Sequence, residues 1–517
     1  MRQFSPGTVV GPLERKSNTA YTEAMGSFHI EHFGCRAARA DGEAIADRLR
    51  SNGLSEEQPF EAELVVVNTC SVTAEADRAA RAMIRRVHRR NPQARIVVTG
   101  CYAQRAPEEL AEMEGVAAVI GNSHKGLAPE ILLDLMPPKE QSTEGGFVAL
   151  TALQTSGGQA PVWVDEDFAH SFLEEAQLTP GEQTRPNLKI QEGCSNRCSF
   201  CVIPQTRGGN RSLSAEAILR QVEGFVASGG NELVLSGINL GRWSPADGSP
   251  NPADGSPGSV HVGLDSVDLS ALQAGAVVPG PKNLAALVRR ILTETRLPRL
   301  RLSSIEPMDW TPELIALLSE FAGPQVETPR IARHAHLPLQ SGSDGVLRRM
   351  YRRYRPWHYV QKVESLLTAV GEDLTLGADV MVGFPGETEA EFQETVDLIR
   401  SLPFGYLHLF PFSPRPNTAA WALHAATPVR PQVVEERMAA LRALAAEKGA
   451  THRRRFVGRD LDAITLHTSV ELAAQGKTCA LTENFLAVEL EGSLEANLLI
   501  RVRVLDAGES LQARLIS

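Results

Sequence analysis

Residues 188–209 read LKIQEGCSNRCSFCVIPQTRGG. The opening run, Leu188–Ile190, predicts a strand, and Cys194, Cys198 and Cys201 follow it at C-x3-C-x2-C spacing. Three thiolates can hold three irons of a four-iron, four-sulfur cluster and leave the fourth iron open to another ligand. Taken alone, this spacing also suits a zinc loop or a fragment of a ferredoxin. A structural zinc site wants four ligands, and no nearby fourth Cys or His completes the set. Phe200, just before the third cysteine, can shield a cluster face or pack over an adenine.

Downstream, strands are predicted near 188–190, 232–236, 299–303, 334–339, 375–382 and 406–411. Helices are predicted near 214–228, 284–294, 312–321, 357–370 and 387–401. Six such β/α units over 185–449 predict an open, partial (β/α)6 version of the parallel barrel, with its active site at the strand C-termini. PADGSP occurs at 245–250 and again at 252–257, so 244–282 reads as a disordered surface insertion with no catalytic part. A helix over 433–449 leads into a tail, 450–517. There the runs DAITLH, FLAVELE and LIRVRVLDA predict a small antiparallel β-barrel.

Upstream, FHIEHF, ELVVVN and ARIVVTG precede Cys35, Cys70 and Cys101, and VAAVI at 116–120 reads as a fourth strand. A helix over 73–90 lies between two of them. This alternation predicts a parallel α/β domain over 28–137. Ligands of open parallel sheets gather at strand carboxyl ends, so the three cysteines are expected to meet there as a second cluster site. Three unrelated buried thiols would not share that placement. Residues 1–27 read as an N-terminal extension and 138–184 as an irregular linker.

The chain has 517 residues, 43% of them hydrophobic, and a formal net charge of -10. This balance excludes a generally basic nucleic-acid coat but not local basic patches. No apolar run is long enough to span a bilayer, and the first residues lack the pattern of a secretory leader. Seven cysteines in so long a chain make no disulfide scaffold, and thiolate ligands suit a reducing compartment, the cytoplasm. Arginines concentrate at 78–90, 348–355 and 453–455, as solvated helix faces or as RNA contacts.

The cysteine loop resembles that of the radical S-adenosylmethionine (SAM) superfamily. Within it, FGC at 33–35, VNTCSVTAEADRAAR, VVTGCYAQ, LSGINLG, RLSSIEP, HLPLQSGSDGVLRRM, DVMVGFPGE and FPFSPRPNT resemble successive motifs of the methylthiotransferases. The likeness runs from about Phe28 to Thr418, and the tail is similar to that family's TRAM domain. TAEADRAAR and LSGINLG are most similar to the branch acting on N6-threonylcarbamoyladenosine of tRNA. The chain departs from the family at Ala37 and Ala38, where Asn is frequent, and at Asn417, where Gly is usual.

The resemblance implies two [4Fe-4S] clusters, on Cys194/Cys198/Cys201 and on Cys35/Cys70/Cys101, with SAM chelated at the open iron of the first. One SAM gives a 5′-deoxyadenosyl radical that removes hydrogen from C2 of an adenine next to the anticodon. Another gives methyl, and the second cluster takes part in sulfur delivery. Gly237, Asn239, Ser304, Glu306, Gln340, Gly383 and Glu387 follow successive strands as candidate SAM contacts or as turn and cap residues. Arg207 is expected to meet the SAM carboxylate or RNA. His334 and His336 are expected in the core or a polar network, and Cys479 as an ordinary thiol. The implied partners are a tRNA anticodon stem-loop, a reductant such as flavodoxin or ferredoxin, and an unidentified sulfur donor, with no membrane. The other enzymatic readings are the isopentenyladenosine branch and a ribosomal-protein aspartate branch. Outside enzymes, an iron–sulfur electron carrier or an RNA-binding module remains, against which the SAM-type motifs count.

Overall fold

β1 (Ser27–His32), β2 (Ser55–Glu56), β3 (Leu64–Thr69), β4 (Arg95–Gly100), β5 (Val116–Gly121) and β6 (Val162–Trp163) form one parallel sheet. Their order is β2-β1-β3-β4-β5-β6 in the computed structural model, which describes residues 26–71, 73–136, 160–171, 178, 184–245 and 281–516. Every residue of β3 is buried, as an unbroken LVVVN run requires when helices cover both faces. The following helix, Ala74–Arg90, is capped by the Thr73 side chain, which accepts from the Ala76 N–H; Glu75 and Asp77 fall in its first turn and His88–Arg90 in its last. β6 was not expected. It lies within the stretch read as an irregular linker and pairs with β5 through Val119–Val162 and Ile120–Trp163.

The second unit contains β7 (Asn187–Glu192), β8 (Arg211–Ser212), β9 (Glu232–Gly237), β10 (Arg299–Leu302), β11 (His334–His336), β12 (Thr375–Val382) and β13 (Phe404–Pro411). β7, β9 and β10 are parallel neighbours, as are β11, β12 and β13. Single bridges, Leu300–Ile331 and Ser304–His336, join the two groups into a six-stranded partial barrel. β8 adds a short antiparallel edge to β7. Helices Ala215–Ala227, Leu284–Glu294, Pro312–Ala322, Pro356–Val370 and Glu389–Ser401 alternate with the strands. Their apolar faces bury residues such as Val222, Phe225, Ile291, Leu318 and Ile399 in one continuous core, each worth about 1.5–3 kcal/mol relative to exposure.

Helix Pro431–Arg454 extends past the expected end at 449, so the tail barrel begins only at β14 (Asp460–Thr465). With β15 (Lys477–Thr482), β16 (Ala487–Glu491), β17 (Leu499–Ala507) and β18 (Leu511–Leu515) it closes in the order β14-β15-β16-β18-β17. All its pairs are antiparallel except β16–β18. The barrel docks on the partial barrel through its β15–β16 turn. Arg333 pairs with Glu483 at 3.3 Å, and the Asn484 amide donates to the Asp373 carbonyl at 3.2 Å. The N-terminal extension before residue 26, most of the linker and the insertion from 246 to 280 lie outside the described residues. No helix among the described residues is long and apolar enough to cross a membrane.

Candidate active site: two cysteine sets

The loop set follows β7. Gly193 holds φ 70°, and a Cβ there would lie 1.9 Å from the Gly209 carbonyl oxygen, so only glycine lets the loop close on itself. The Cys194 N–H then donates to the Gly208 carbonyl at 3.0 Å, and the Cys201 N–H to the Cys198 carbonyl at 3.1 Å. Asn239 approaches from the end of β9, its amide nitrogen 3.6 Å from the Cys194 sulfur. Arg352 approaches from the far side. Its Nη1 is 3.3 Å from the Cys198 sulfur, and its Nη2 donates to Glu306. Burial pushes all three thiols up, Cys201 to about 12, and the Cys198 sulfur raises Cys194 and Cys201 further. Cationic iron beside these sulfurs would favour their thiolate form.

The dispersed set sits at the carboxyl edges of three adjacent parallel strands, β1, β3 and β4. Gly34 abuts Cys70, since a Cβ on it would come 3.2 Å from the Cys70 Cβ. Gly100 holds φ 98° against the Thr69 backbone and delivers Cys101 as the first residue of its helix. Cys35 is the N-cap of helix Arg36–Ser51, and Cys70 lies three residues before Thr73, the cap of helix Ala74–Arg90. Helix N-termini favour anionic sulfur. Ala37 and Ala38 are buried helical residues, and the backbone of Ala38 accepts from the Asn68 amide at 2.6 Å. A hydrogen bond to the Cys101 sulfur comes instead from Asn122, at 3.3 Å.

Arg207 is fully buried, with its Nε 3.3 Å from the Cys101 sulfur. Its Nη1 donates to Glu192 at 2.8 Å and to Asp41 at 3.2 Å. Asp41 also receives Lys125, at 2.5 Å, and Lys189. Burial raises Asp41, but Lys125, Lys189 and Arg207 together outweigh it and hold the carboxyl below its usual range. Burial likewise lowers Arg207, and Cys101, Glu192 and Asp41 reverse this and hold it well above its usual value. Three cations thus face two carboxylates in a buried seam, and the excess positive charge lies against sulfur. Sequence reasoning missed this seam, although Lys189 and Glu192, the two charges of a strand that buries five of its six residues, belong to it.

Beside the loop set lies a cavity of about 320 Å³ lined by Phe200, Cys201, Gln340, Asp379, Met381 and Arg415, among others. The N-terminal unit forms part of its rim: Arg415 pairs with Asp77 at 2.6 Å, and the Ala74 N–H donates to Ser413 at 3.1 Å. Phe200 meets Phe384 edge-on at 6.5 Å. Gln340 holds φ 60°, and its Oε1 is buried with no partner, as is the Oδ1 of Asn239. Such orphaned acceptors beside three converging thiols fit a polar ligand bearing an amino group. Gly237 abuts Gln191, whose side chain accepts from the Asn239 N–H at 2.6 Å; Ser304 bridges to His336. The Glu387 carboxylate accepts from the Gly383 N–H at 2.9 Å and from Arg437 at 2.8 Å, an arrangement that suits the turn alternative for this pair. Asn417 holds φ 61°, a left-handed conformation that Asn tolerates better than most non-glycine residues.

The arginine runs separate once their partners are visible. Within 348–355, Arg352 is buried at the loop set, Arg349 is paired with Glu391, and Arg348 and Arg355 are paired with Asp344. Arg453 and Arg455 donate to the Gly508 and Glu372 carbonyls. Arg85, Arg86 and Arg89 are exposed on helix Ala74–Arg90. His334 and His336 join a polar network, at 2.8 and 3.0 Å from the Tyr406 hydroxyl, and Asp379 bridges His336 and His408 at 3.1 and 3.3 Å. Cys479 lies on β15 in the tail barrel, far along the chain from either set.

The uncharacterized protein family UPF0004 matches residues 27–121, and the radical SAM superfamily matches residues 188–399. The chain is 31% identical to the threonylcarbamoyladenosine tRNA methylthiotransferase MtaB of Aquifex aeolicus, over 92% of this chain and 99% of that protein. The MtaB of Bacillus subtilis is 31% identical over 93% and 94%. The tRNA-2-methylthio-N(6)-dimethylallyladenosine synthase of Sorangium cellulosum is 33% identical over 77% and 74%. Superfamily membership carries with it SAM and a [4Fe-4S] cluster. With its cysteine-edged parallel sheet, its partial barrel and these full-length relatives, the chain belongs to the radical SAM methylthiotransferase family.

Proposed function

We propose that this enzyme methylthiolates C2 of N6-threonylcarbamoyladenosine next to the anticodon of tRNA, in the cytoplasm. The observation that carries the reading is the pair of cysteine sets, each with a buried arginine on a sulfur, with a cavity opening beside Cys201 of the loop set. The MtaB relatives, which match along nearly their whole length, support this substrate over isopentenyladenosine. Cys194, Cys198 and Cys201 hold one [4Fe-4S] cluster, and Cys35, Cys70 and Cys101 hold a second. Bound SAM and the two clusters supply the carbon radical, the methyl group and the sulfur. A one-electron donor of the flavodoxin or ferredoxin kind serves as reductant.

The chain's own residues bind and orient. Asn239 and Gln340 present their free acceptors to the SAM amino group, with Gly237 and Ser304 at the neighbouring strand ends. Arg352 and Glu306 fix the outer side of the loop cluster. Phe200, Met381 and Phe410 give the cavity an apolar wall that excludes water from a reactive carbon centre. An adenosine beside the anticodon is accessible without opening a duplex, so turning it into the cavity costs only a few kcal/mol. The test is anaerobic turnover of the reconstituted enzyme on anticodon stem-loops bearing threonylcarbamoyladenosine or isopentenyladenosine, with mass analysis of the nucleosides. A methylthio product on the first loop is expected; product on the second alone, or on neither, overturns the reading.

A further inference from the structure

The N-terminal ends of the core strands are closed by a ring from the tail barrel. Phe485, in the β15–β16 turn, holds φ 69° and packs against His334 at 4.4 Å and Tyr406 at 5.5 Å between centroids. Two guanidinium groups face this ring: Arg301 at 5.3 Å and Arg36 at 5.8 Å. Arg301 is fully buried, donates to Glu232 at 2.8 Å, and keeps an Nη1 with no hydrogen-bond partner. Arg299 and Arg185 draw on that same carboxylate at 3.4 and 3.5 Å, and the Nε of Arg185 is likewise buried and unpartnered. The nearby Glu483 is engaged by Arg333. Three arginines therefore share one glutamate, and Arg36, over the same ring as Arg301, has no hydrogen bond or ion pair among the described residues.

Arg36 is also the outermost of the four. It is open to solvent and follows Cys35 directly, at the start of the helix that packs against β7 and β9. From there the wall runs through Tyr406, His408 and Asp379 to the cavity at Cys201. A cation without a counter-ion, set over an aromatic floor and backed by two further cations with unused N–H groups, is a receptor for an anion.

We propose that Arg36, backed by Arg301 and Arg185, binds the carboxylate of the threonylcarbamoyl group of the substrate adenosine. This assignment rests on the substrate reading above. A threonylcarbamoyl group ends in a carboxylate that is ionised at neutral pH, whereas an isopentenyl group carries no charge. The site therefore selects between the two modifications by charge as well as by shape.

The test measures binding of anticodon stem-loops to the reconstituted full-length enzyme. One loop carries threonylcarbamoyladenosine, and a second carries the same group with its carboxylate converted to a neutral amide. The native enzyme is expected to prefer the acid by about tenfold, the scale of one charge-assisted hydrogen-bonded pair. Arg36→Gln should bind both loops alike, at the level of the amide, and Arg36→Lys should keep part of the preference. Iron content of each variant reports whether the adjacent cluster is intact. Equal binding of acid and amide by the native enzyme overturns the proposal without any variant. Equal weakening of both loops by Arg36→Gln overturns it too, and assigns Arg36 to a tRNA phosphate. Methylthio product on the acid loop together with no acid preference leaves the substrate reading standing and removes only the anion site.

Discussion

One loop carries Cys194, Cys198 and Cys201, whereas three neighbouring strands carry Cys35, Cys70 and Cys101. Both sets use a glycine of positive φ at the approach, Gly193 or Gly100, and both receive a buried arginine at 3.3 Å from one sulfur. They differ in what holds them in place. The loop set is closed by hydrogen bonds within its own neighbourhood, between Cys194 and Gly208 and between Cys201 and Cys198. The dispersed set depends on the register of a sheet and on a charged seam shared with a second unit. Local ligation is set by spacing; distributed ligation is set by tertiary structure.

The sharpest way to break the comparison is to remove the ligands. Alanine at Cys194, Cys198 and Cys201 together should leave about four irons and abolish reductive SAM cleavage, while alanine at Cys35, Cys70 and Cys101 should leave about four irons and preserve cleavage without methylthio product. Iron assay, deoxyadenosine yield and nucleoside mass read the three outcomes. Full product from the second variant would falsify its role in sulfur delivery.

A subtler cut is Arg207→Met. It leaves Asp41 and Glu192 facing fewer cations in a buried seam, so stability should fall by about 3–5 kcal/mol, and iron should be lost from the dispersed set first. Arg352→Met, at the loop set, should spare the dispersed iron. Denaturation midpoints and iron counts for the two variants decide this; equal loss from both sets in each would show that the seam does not discriminate.

The smallest effect lies away from both sets. His452 is buried 2.8 Å from the Thr375 hydroxyl, and burial, with Arg455 and Arg453, pushes its pKa down to about 4. The unfolded imidazole takes a proton near pH 6.5 and the folded one does not, so stability present above that pH is lost as pH falls towards 4. The loss is roughly 3 kcal/mol at most. Because Thr375 begins β12, the cavity wall next to the loop set should loosen first. His452→Gln should flatten the dependence, and an unchanged urea midpoint between pH 7 and pH 4.5 in the native enzyme would remove the effect.

The strands that deliver Cys35, Cys70 and Cys101 were legible because each combines a short apolar run with a cysteine at its end. β6 was not, because Val162–Trp163 is too short to show any period. The extension of helix Pro431–Arg454 carried a readable sign in His452–Arg454, basic residues that suit a last turn. The seam around Asp41 was hidden for a different reason. Charged residues are ordinarily solvated, and only partners far away in sequence, such as Lys125 and Arg207, make their burial tolerable. Arg352 was concealed among neighbours that do face solvent, such as Arg348 and Arg353.

The Phe485 turn bears on how such enzymes can be recombined. Since the tail barrel inserts a ring beneath His334 and Tyr406 and an acid against Arg333, it is not a detachable cassette. Grafting the tail of another enzyme onto this core would exchange the ring that closes the N-terminal ends of its strands along with it. Residues 482–486 and the core positions they touch would have to be inherited as a matched set, so mosaic enzymes should tolerate a junction after helix Pro431–Arg454 only when both sides of that contact come from one parent.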